Sequence, residues 1–130
     1  METDLVGNTD AKTLRGILDL LPLEVTYADS DDRFVYFNER EERVFERREI
    51  SLGKDVFELH PDRCLPEVRK IISEMRSGER DTAEYWIEKE GRFIHIRYFA
   101  LREDGEYRGV VEVVQDATRI RSLTGEKKEP

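Results

Sequence analysis

The segment TAEYWIEKEGRFIHIRYFALREDGEYRGVVEVVQ, residues 82–115, decides the fold. It contains three runs in which apolar and polar residues alternate, separated by the turn-forming groups Lys89-Glu90-Gly91 and Glu103-Asp104-Gly105. Alternation with a period of two is typical of strands that bury one face, and short connections containing glycine join neighbouring strands as hairpins. The segment therefore predicts an antiparallel meander of three long strands.

Residues 9–37 predict a helix followed by a β-hairpin. Thr9 or Asp10 can cap the helix, and Pro22 ends it. Four apolar residues recur at helical spacing along one side of this helix: Leu14, Ile17, Leu18 and Leu21. The segments 24–28 and 33–37 have strand character, and the acidic turn between them joins them as a hairpin.

The segment between the hairpin and the meander predicts short helices and one longer helix. Asn38 can cap a helical turn that carries Val44 and Phe45. The longer helix has apolar residues at helical spacing over residues 65–75, and Gly78 supplies its C-terminal stop. This order of elements predicts an α+β fold, with a five-stranded antiparallel sheet, helices on one face and the N-terminal amphipathic helix on the other.

The length and composition predict one soluble domain. We expect a flexible N-terminus at residues 1–9, one domain at 10–123 with its N-terminal helix at 10–21, and a charged, disordered tail at 124–130. No apolar run approaches the roughly 20 residues that cross a bilayer, and no signal-peptide pattern is present. The single cysteine, Cys64, excludes an intrachain disulfide, so a cytoplasmic location is expected.

The charge pattern bears on partners and source. The chain has 22 basic and 30 acidic residues, a net charge of −8, with no cluster of cations, so neither nucleic acid nor a membrane surface is an expected partner. Charged residues make up 40% of the chain, whereas asparagine occurs twice and glutamine once. Ionic surface in place of heat-labile amides is the pattern of heat-adapted proteins and predicts a thermophilic source.

Several local motifs in this order of elements resemble the PAS domain. They are LLP at 20–22, FVYFN at 34–38, GKDVFEL at 53–59 and DAT at 116–118. Two longer strings, MRSGERDTAEYWI at 75–87 and GRFIHIRYFA at 91–100, are similar to the PAS modules found beside hemerythrin-like domains in proteins of unknown function from anaerobes and archaea. The resemblance implies a sensory or protein-interaction module without catalysis of its own, which works with an effector domain or a partner protein.

The resemblance also implies where a ligand would lie. PAS domains hold ligands between the inner face of the sheet and the helices of the middle segment, and strand alternation then sorts the residues of the last two strands. Seven residues are expected to contact a ligand: Tyr98, Glu112, Ile94, Ile96, Val110, Val114 and His60. Ala100 is expected on the same inner face.

Glu112 is the most informative of these residues, because it places an acid in an apolar interior. A buried carboxylate must be protonated, hydrogen-bonded or liganded. The structural interpretation is a hydrogen bond from Tyr98 or a salt bridge to an arginine of the helical segment. The functional interpretation is a polar anchor for a small ligand.

The opposite face of the sheet is predicted to be an interface. Four apolar residues are expected there: Phe93, Phe99, Val111 and Val113. They form too large an apolar surface to be left in water on a small monomer. The apolar stripe of the N-terminal helix is the expected cover, from the same subunit or from a symmetry mate. PAS domains commonly dimerise there, and we therefore expect a homodimer.

The cofactor is left open. His60 and Cys64 are four residues apart, but a zinc site needs four ligands, so no metal site is expected. Haem needs one axial histidine. Haem through His60 stays open, although the resemblance places the haem histidine of oxygen-sensing PAS domains near Val68. Flavin is disfavoured, because Cys64 lacks the Asn-Cys-Arg context of photochemical flavin domains, and Val114 stands where they have glutamine.

Two other classes of function compete with a sensor. One is a ligand-free structural dimerisation module with a filled core. The other is a small α+β enzyme in which Glu112, Tyr98 or His60 acts as acid or base. The sequence has no glycine-rich phosphate loop and no Ser-His-Asp order, so we expect no catalytic activity.

Overall fold

The computed structural model describes residues 7–130. Most of the expected flexible segment 1–9 lies outside the described residues. Within this range, three helices and five strands occur in chain order: α1 (Ala11–Leu20), β1 (Glu24–Asp29), β2 (Phe34–Phe37), α2 (Leu65–Ser77), β3 (Thr82–Lys89), β4 (Arg92–Glu103), β5 (Glu106–Asp116) and α3 (Thr118–Ser122). Two short 3-10 turns are found at Glu49–Ser51 and Asp62–Cys64.

The five strands form one antiparallel sheet in the order β2-β1-β5-β4-β3. The hairpin of β1 and β2 therefore joins the three-stranded meander through the pairing of β1 with β5. The edges of the sheet are the four-residue β2 and the longer β3. This five-stranded antiparallel sheet with its helices confirms the predicted α+β fold.

The inner face of the sheet packs two apolar clusters. One joins α2, through Ile72 and Met75, to Ala28, Phe34 and Val110 of the sheet. The other consists of the fully buried Ile94, Ile96 and Val114, which pack against Val44 and Phe45 of the segment after β2. Between the two clusters runs a row of paired residues on adjacent strands, in which Ala83 belongs to the first cluster and Tyr98 packs against both: Ala83, Tyr98, Glu112, Thr26 and Phe37.

Helix α1 begins as predicted, because the Asp10 carboxylate accepts the Thr13 amide at 2.8 Å. Its apolar stripe is not buried by its own chain. Leu14 remains 38% exposed, Ile17 48% and Leu21 37%. The helix therefore presents an apolar surface to solvent, and cover by α1 of the same subunit is at most partial.

The predicted helical turn after Asn38 is wrong, because residues 38–48 contain no helix. Asn38 is instead fully buried, and its side chain makes long-range hydrogen bonds. Its Oδ1 accepts the Val25 amide at 2.8 Å, and its Nδ2 donates to the carbonyls of Leu18 and Leu23 at 2.8 and 2.9 Å. These bonds join the end of α1, the start of β1 and the end of β2.

The C-terminal residues close the outer face at one end. The Asp116 carboxylate accepts the Thr118 amide and hydroxyl at 3.1 and 2.6 Å, at the start of α3. Arg121 of α3 lies 4.2 Å from the centre of the Phe93 ring, so α3 covers this outer-face residue. Residues 123–130 form no helix or strand and are exposed, and their disorder stays a prediction.

We expect Gly109→Ala to destabilise the domain. Gly109 pairs with Asp29 at φ +135°, and a Cβ there would collide with the Ala28 carbonyl oxygen and lie 2.8 Å from the Tyr27 ring. The strained backbone alone costs about 1–3 kcal/mol, and the collision adds to it. The free energy of unfolding from urea titrations measures the loss.

The matched control is Gly105→Ala, because Gly105 also has a positive φ but has nothing near the position of a Cβ. We expect a smaller loss for this variant. Equal losses for the two variants would contradict the close approach of β1 and β5.

Candidate functional site

A cavity of about 60 Å³ lies between the inner face of the sheet, α2 and the segment before α2. Its walls are largely apolar, and the apolar lining residues are Ala28, Phe34, Val56, Val68, Ile71, Ile72 and Val110. Five polar side chains also line it: Thr26, Arg47, His60, Tyr98 and Glu112. Polar groups converging on an apolar pocket are the usual composition of a small-molecule site.

Glu112 is the centre of the polar group. The pairing of β5 with β4 and β1 places it between Tyr98 and Thr26. One carboxylate oxygen accepts the Tyr98 hydroxyl at 2.9 Å, and the other pairs with Nη2 of Arg47 at 2.9 Å. Both partners of the structural interpretation, a tyrosine and an arginine, are therefore present around the carboxylate.

Arg47 reaches the site from the irregular segment 38–48. Its Nε donates to Thr26 Oγ1 at 3.3 Å, and its guanidinium lies 5.7 Å from the centre of the Phe34 ring. The side chain is 19% exposed and that of Glu112 is 14% exposed. Pairing at this depth matters, because removing one partner of a buried ion pair leaves an uncompensated charge.

The segment that carries Arg47 is held to the sheet by another carboxylate. Glu24 of β1 is buried and accepts the amides of Val44 and Phe45 at 2.5 and 3.1 Å. Arg43 approaches the same carboxylate at 3.8 Å. Two acidic side chains of the inner face, Glu24 and Glu112, therefore fix a segment that has no helix or strand of its own.

Tyr98 links the cavity to the edge of the sheet. Its hydroxyl lies 3.3 Å from that of Tyr85, and the two rings stack with centres 6.1 Å apart. Burial raises the pKa of Tyr98 well above its ordinary value, and the nearby Glu112 carboxylate and Tyr85 raise it further. Tyr98 therefore serves as a neutral hydrogen-bond donor to Glu112.

His60 faces the cavity from the segment before α2. Its Nδ1 lies 2.7 Å from the Val56 carbonyl oxygen. A carbonyl can only accept, so Nδ1 carries a proton and donates it. In the neutral ring, Nε2 is then a hydrogen-bond acceptor. The bond across four residues also closes the turn that leads into Pro61.

The structure divides the predicted ligand residues into two groups. Tyr98, Glu112, Val110 and His60 line the cavity. The other three share the inner face but form the second apolar cluster, under Val44 and Phe45, and do not line the cavity: Ile94, Ile96 and Val114. Contact with a ligand is untested for both groups and stays a prediction.

Sequence reasoning missed several residues of the cavity. Arg47 was anticipated only as an unspecified arginine, because a lone arginine in a polar stretch carries no local signal. Thr26 was missed as well, although its place beside Glu112 follows once β1 is paired with β5. The wall residues of α2, Val68, Ile71 and Ile72, belong to the predicted apolar stripe of that helix.

The residues predicted for a dimer interface lie on the outer face or on α1. Phe99 and Val111 pair across β4 and β5, and Arg97 pairs with Val113. All four apolar outer-face residues, Phe93, Phe99, Val111 and Val113, are partly exposed. Leu18 of α1 is half-buried, whereas Leu14 and Ile17 of α1 and Leu21, which directly follows the helix, are exposed. No partner chain is present, so the homodimer stays a prediction.

Across residues 7–130, no group of three or more His, Cys, Asp or Glu side chains is arranged to hold a metal ion. His60 and Cys64 are therefore not joined by a third such ligand in this part of the chain. Within the same residues, no helix has both the length and the apolar character needed to cross a membrane.

The fold and cavity together define an α+β module in which a small site lies between an antiparallel sheet and the helical segment that covers one of its faces. The family model described as PAS domain matches residues 14–118. The chain belongs to the PAS domain family, whose members are typically sensory or signalling modules. Membership in the subgroup beside hemerythrin-like domains is not shown.

Solved structures share this fold. The C-terminal domain of a Streptococcus mutans protein is 34% identical, with a TM-score of 0.85, over 93% of this chain and 96% of that one. A PAS domain from Colwellia psychrerythraea is 17% identical, with a TM-score of 0.59, over 83% and 97% of the two chains. A sensory box sensor histidine kinase from Vibrio cholerae is 23% identical, with a TM-score of 0.58, over 82% and 90%. A search of curated protein sequences gives no significant match.

We expect the stability of the domain to fall above pH 10, and Tyr98→Phe to weaken this fall. Unfolded tyrosine ionises near pH 10, whereas burial keeps Tyr98 protonated in the native state. The unfolded state therefore loses its proton first, and stability decreases as the pH rises. Urea unfolding of both proteins between about pH 9 and pH 11 measures the difference.

Burial also raises the pKa of the other four tyrosines, Tyr27, Tyr36, Tyr85 and Tyr107. All five tyrosines therefore contribute to the loss of stability at high pH, and the comparison with Tyr98→Phe isolates the contribution of Tyr98. The control is Tyr107→Phe, which removes the hydroxyl of another partly buried tyrosine that does not bond to Glu112. Phenolate absorbance that shows Tyr98 ionising near pH 10 in the folded protein would contradict its buried, neutral state.

Proposed function

We propose that this PAS domain is a sensory module that binds a small ligand in the cavity beside Glu112. The observation that carries the proposal is the convergence of five polar side chains on a cavity whose remaining walls are apolar. A purely structural core is usually filled with apolar side chains, because each buried polar group must find a partner. A polar group beside open volume supports a binding role.

The size of the cavity bears on the ligand. Pockets that hold drug-sized or cofactor-sized molecules have volumes of roughly 300–1,000 Å³, whereas this cavity has about 60 Å³. A haem or flavin would have to displace α2 or the segment 38–48. We therefore propose a ligand of a few heavy atoms, and a purified protein without haem or flavin absorption bands.

The first test is the native mass of the purified protein. We expect a mass above that of the bare chain, with the excess lost on denaturation. Ile71→Phe should remove the excess, because Ile71 lines the cavity and a larger side chain fills it. The control is Ile50→Phe at a position that is 70% exposed.

A bare native mass for the unaltered protein, before and after incubation with its expression-host extract, would contradict ligand binding. That result would instead support the ligand-free structural module. One observation already favours this second candidate: the Glu112 carboxylate is satisfied by Tyr98 and Arg47 without any ligand.

We also propose a homodimer in which the apolar side of α1 meets its counterpart or the outer face of a second copy. The support is the exposure of Leu14, Ile17 and Leu21 on one side of α1. Together with the partly exposed outer face, they form an apolar surface of the kind that marks interfaces.

The dimer is tested by Ile17→Arg, with Ile50→Arg as the matched control at another exposed isoleucine. We expect light scattering to give a dimeric mass for the unaltered protein and the control, and a monomeric mass for Ile17→Arg. Neither substitution removes a buried contact, so both proteins should fold. A monomeric mass for the unaltered protein across micromolar concentrations would refute the dimer.

The wider setting is also a proposal. The similar Streptococcus mutans chain is a C-terminal domain, which supports a role for this module next to an effector domain or a partner protein. We propose a cytoplasmic, non-catalytic module from a heat-adapted source, on the basis of its PAS fold and its 40% charged residues. Kinship with the modules beside hemerythrin-like domains rests on the two strings at 75–87 and 91–100.

A further inference from the structure

We propose that the cavity takes a small organic cation, an alkylammonium or alkylguanidinium ion, which displaces the guanidinium of Arg47 from Glu112. This inference rests on the proposed function, because it names the chemistry of the ligand. In the described structure Arg47 occupies the cation position itself. The ligand would compete with a side chain of the protein for one carboxylate.

The contacts of Arg47 show what the site recognises. Its guanidinium pairs with the Glu112 carboxylate at 2.9 Å, donates to the Thr26 hydroxyl at 3.3 Å and lies 5.7 Å from the centre of the Phe34 ring. A carboxylate, a hydroxyl and an aromatic face are the groups that bind ammonium and guanidinium ligands. The geometry already holds one such cation.

The two partners of the ion pair differ in how firmly they are held. Glu112 lies on β5, paired on both sides, and also accepts the Tyr98 hydroxyl. Arg47 lies on an irregular segment and is 19% exposed, and its remaining guanidinium contact is the carbonyl of its own neighbour, Glu46. The acceptor is therefore held more firmly than the cation, which makes Arg47 the partner that a ligand would replace.

The rest of the cavity suits the remainder of such a ligand. An alkyl chain would contact Val68, Ile71, Ile72 and Val110. Nε2 of His60 offers one more acceptor to an N–H donor. An anionic ligand would instead approach the Glu112 carboxylate, and the net charge of −8 would oppose it.

Displacement of Arg47 would affect the contacts of α1. The segment 38–48 also contacts the C-terminal end of that helix, where Arg40 donates to the Leu21 carbonyl at 2.6 Å. The Glu39 amide donates to the Asp19 carboxylate at 2.8 Å. A ligand that releases Arg47 therefore loosens a segment bonded to the helix that we propose as the dimer contact.

The test is a calorimetric titration of the unaltered domain with methylguanidinium chloride and with propylammonium chloride. Sodium chloride and tetramethylammonium chloride at equal ionic strength are the controls. We expect saturable binding of the first two salts. Arg47→Ala should bind methylguanidinium at least tenfold more tightly, because the internal competitor is gone. Glu112→Gln should abolish binding in either background.

A spectroscopic readout reports displacement directly. In ¹H–¹⁵N spectra, the Nε–H signal of Arg47 should shift as methylguanidinium is added, and it should not shift with sodium chloride. Should Glu112→Gln fail to fold by circular dichroism, Thr26→Val replaces it, since it removes one contact of the cation and should weaken binding several-fold.

Binding to Arg47→Ala but not to the unaltered domain would overturn the proposal, because Arg47 would then be a permanent structural partner. Absence of binding in both proteins, or binding that Glu112→Gln leaves unchanged, would overturn it as well. The proposed function fails separately, through a bare native mass of the purified protein. If the native mass shows an excess but no cation binds, the proposed ligand-binding function stands and the proposal of a cationic ligand is rejected.

Discussion

A carboxylate in the middle of an apolar sheet face is the constraint on which the rest of this structure depends. Glu112 lies between two apolar clusters, on the row of residues that separates them. Burial of its charge is costly without partners. Tyr98 supplies one partner from the neighbouring strand, and Arg47 supplies the other from outside the sheet. The need to neutralise this side chain thus helps to position the irregular segment 38–48, which Glu24 also holds.

The sequence could predict the elements whose signals are local. Alternation in residues 82–115 gave the meander, and helical spacing with Gly78 as terminator gave α2, which ends in a left-handed Gly78 at φ +87°. Asn38 shows where local rules fail. Asparagine favours helix N-caps, but the Asn38 side chain instead forms hydrogen bonds with three backbone groups that are distant in sequence. The choice between a local cap and these long-range hydrogen bonds depends on the tertiary structure, so a short stretch of sequence cannot predict it.

The candidate site could also be predicted only in part. Strand alternation was enough to place Tyr98 and Glu112 on one face. It was not enough to separate the cavity from the second apolar cluster, because that division depends on where Val44 and Phe45 pack. These two residues lie on the segment that Glu24 and Glu112 hold in place. Membership in the PAS family therefore fixes the fold, whereas the chemistry of the site depends on side chains particular to this chain.

The edge strands of the sheet limit how this domain can associate with other proteins. β2 is only four residues long, and β3 carries Glu84, Glu88 and Lys89 along an exposed edge. Short edge strands and charged edge residues discourage the addition of a further strand from another chain. Growth of the sheet across molecules is thereby disfavoured at both borders. The faces of the sheet and the helices remain for association, and an isologous contact there would close after a second copy without propagating into a fibre.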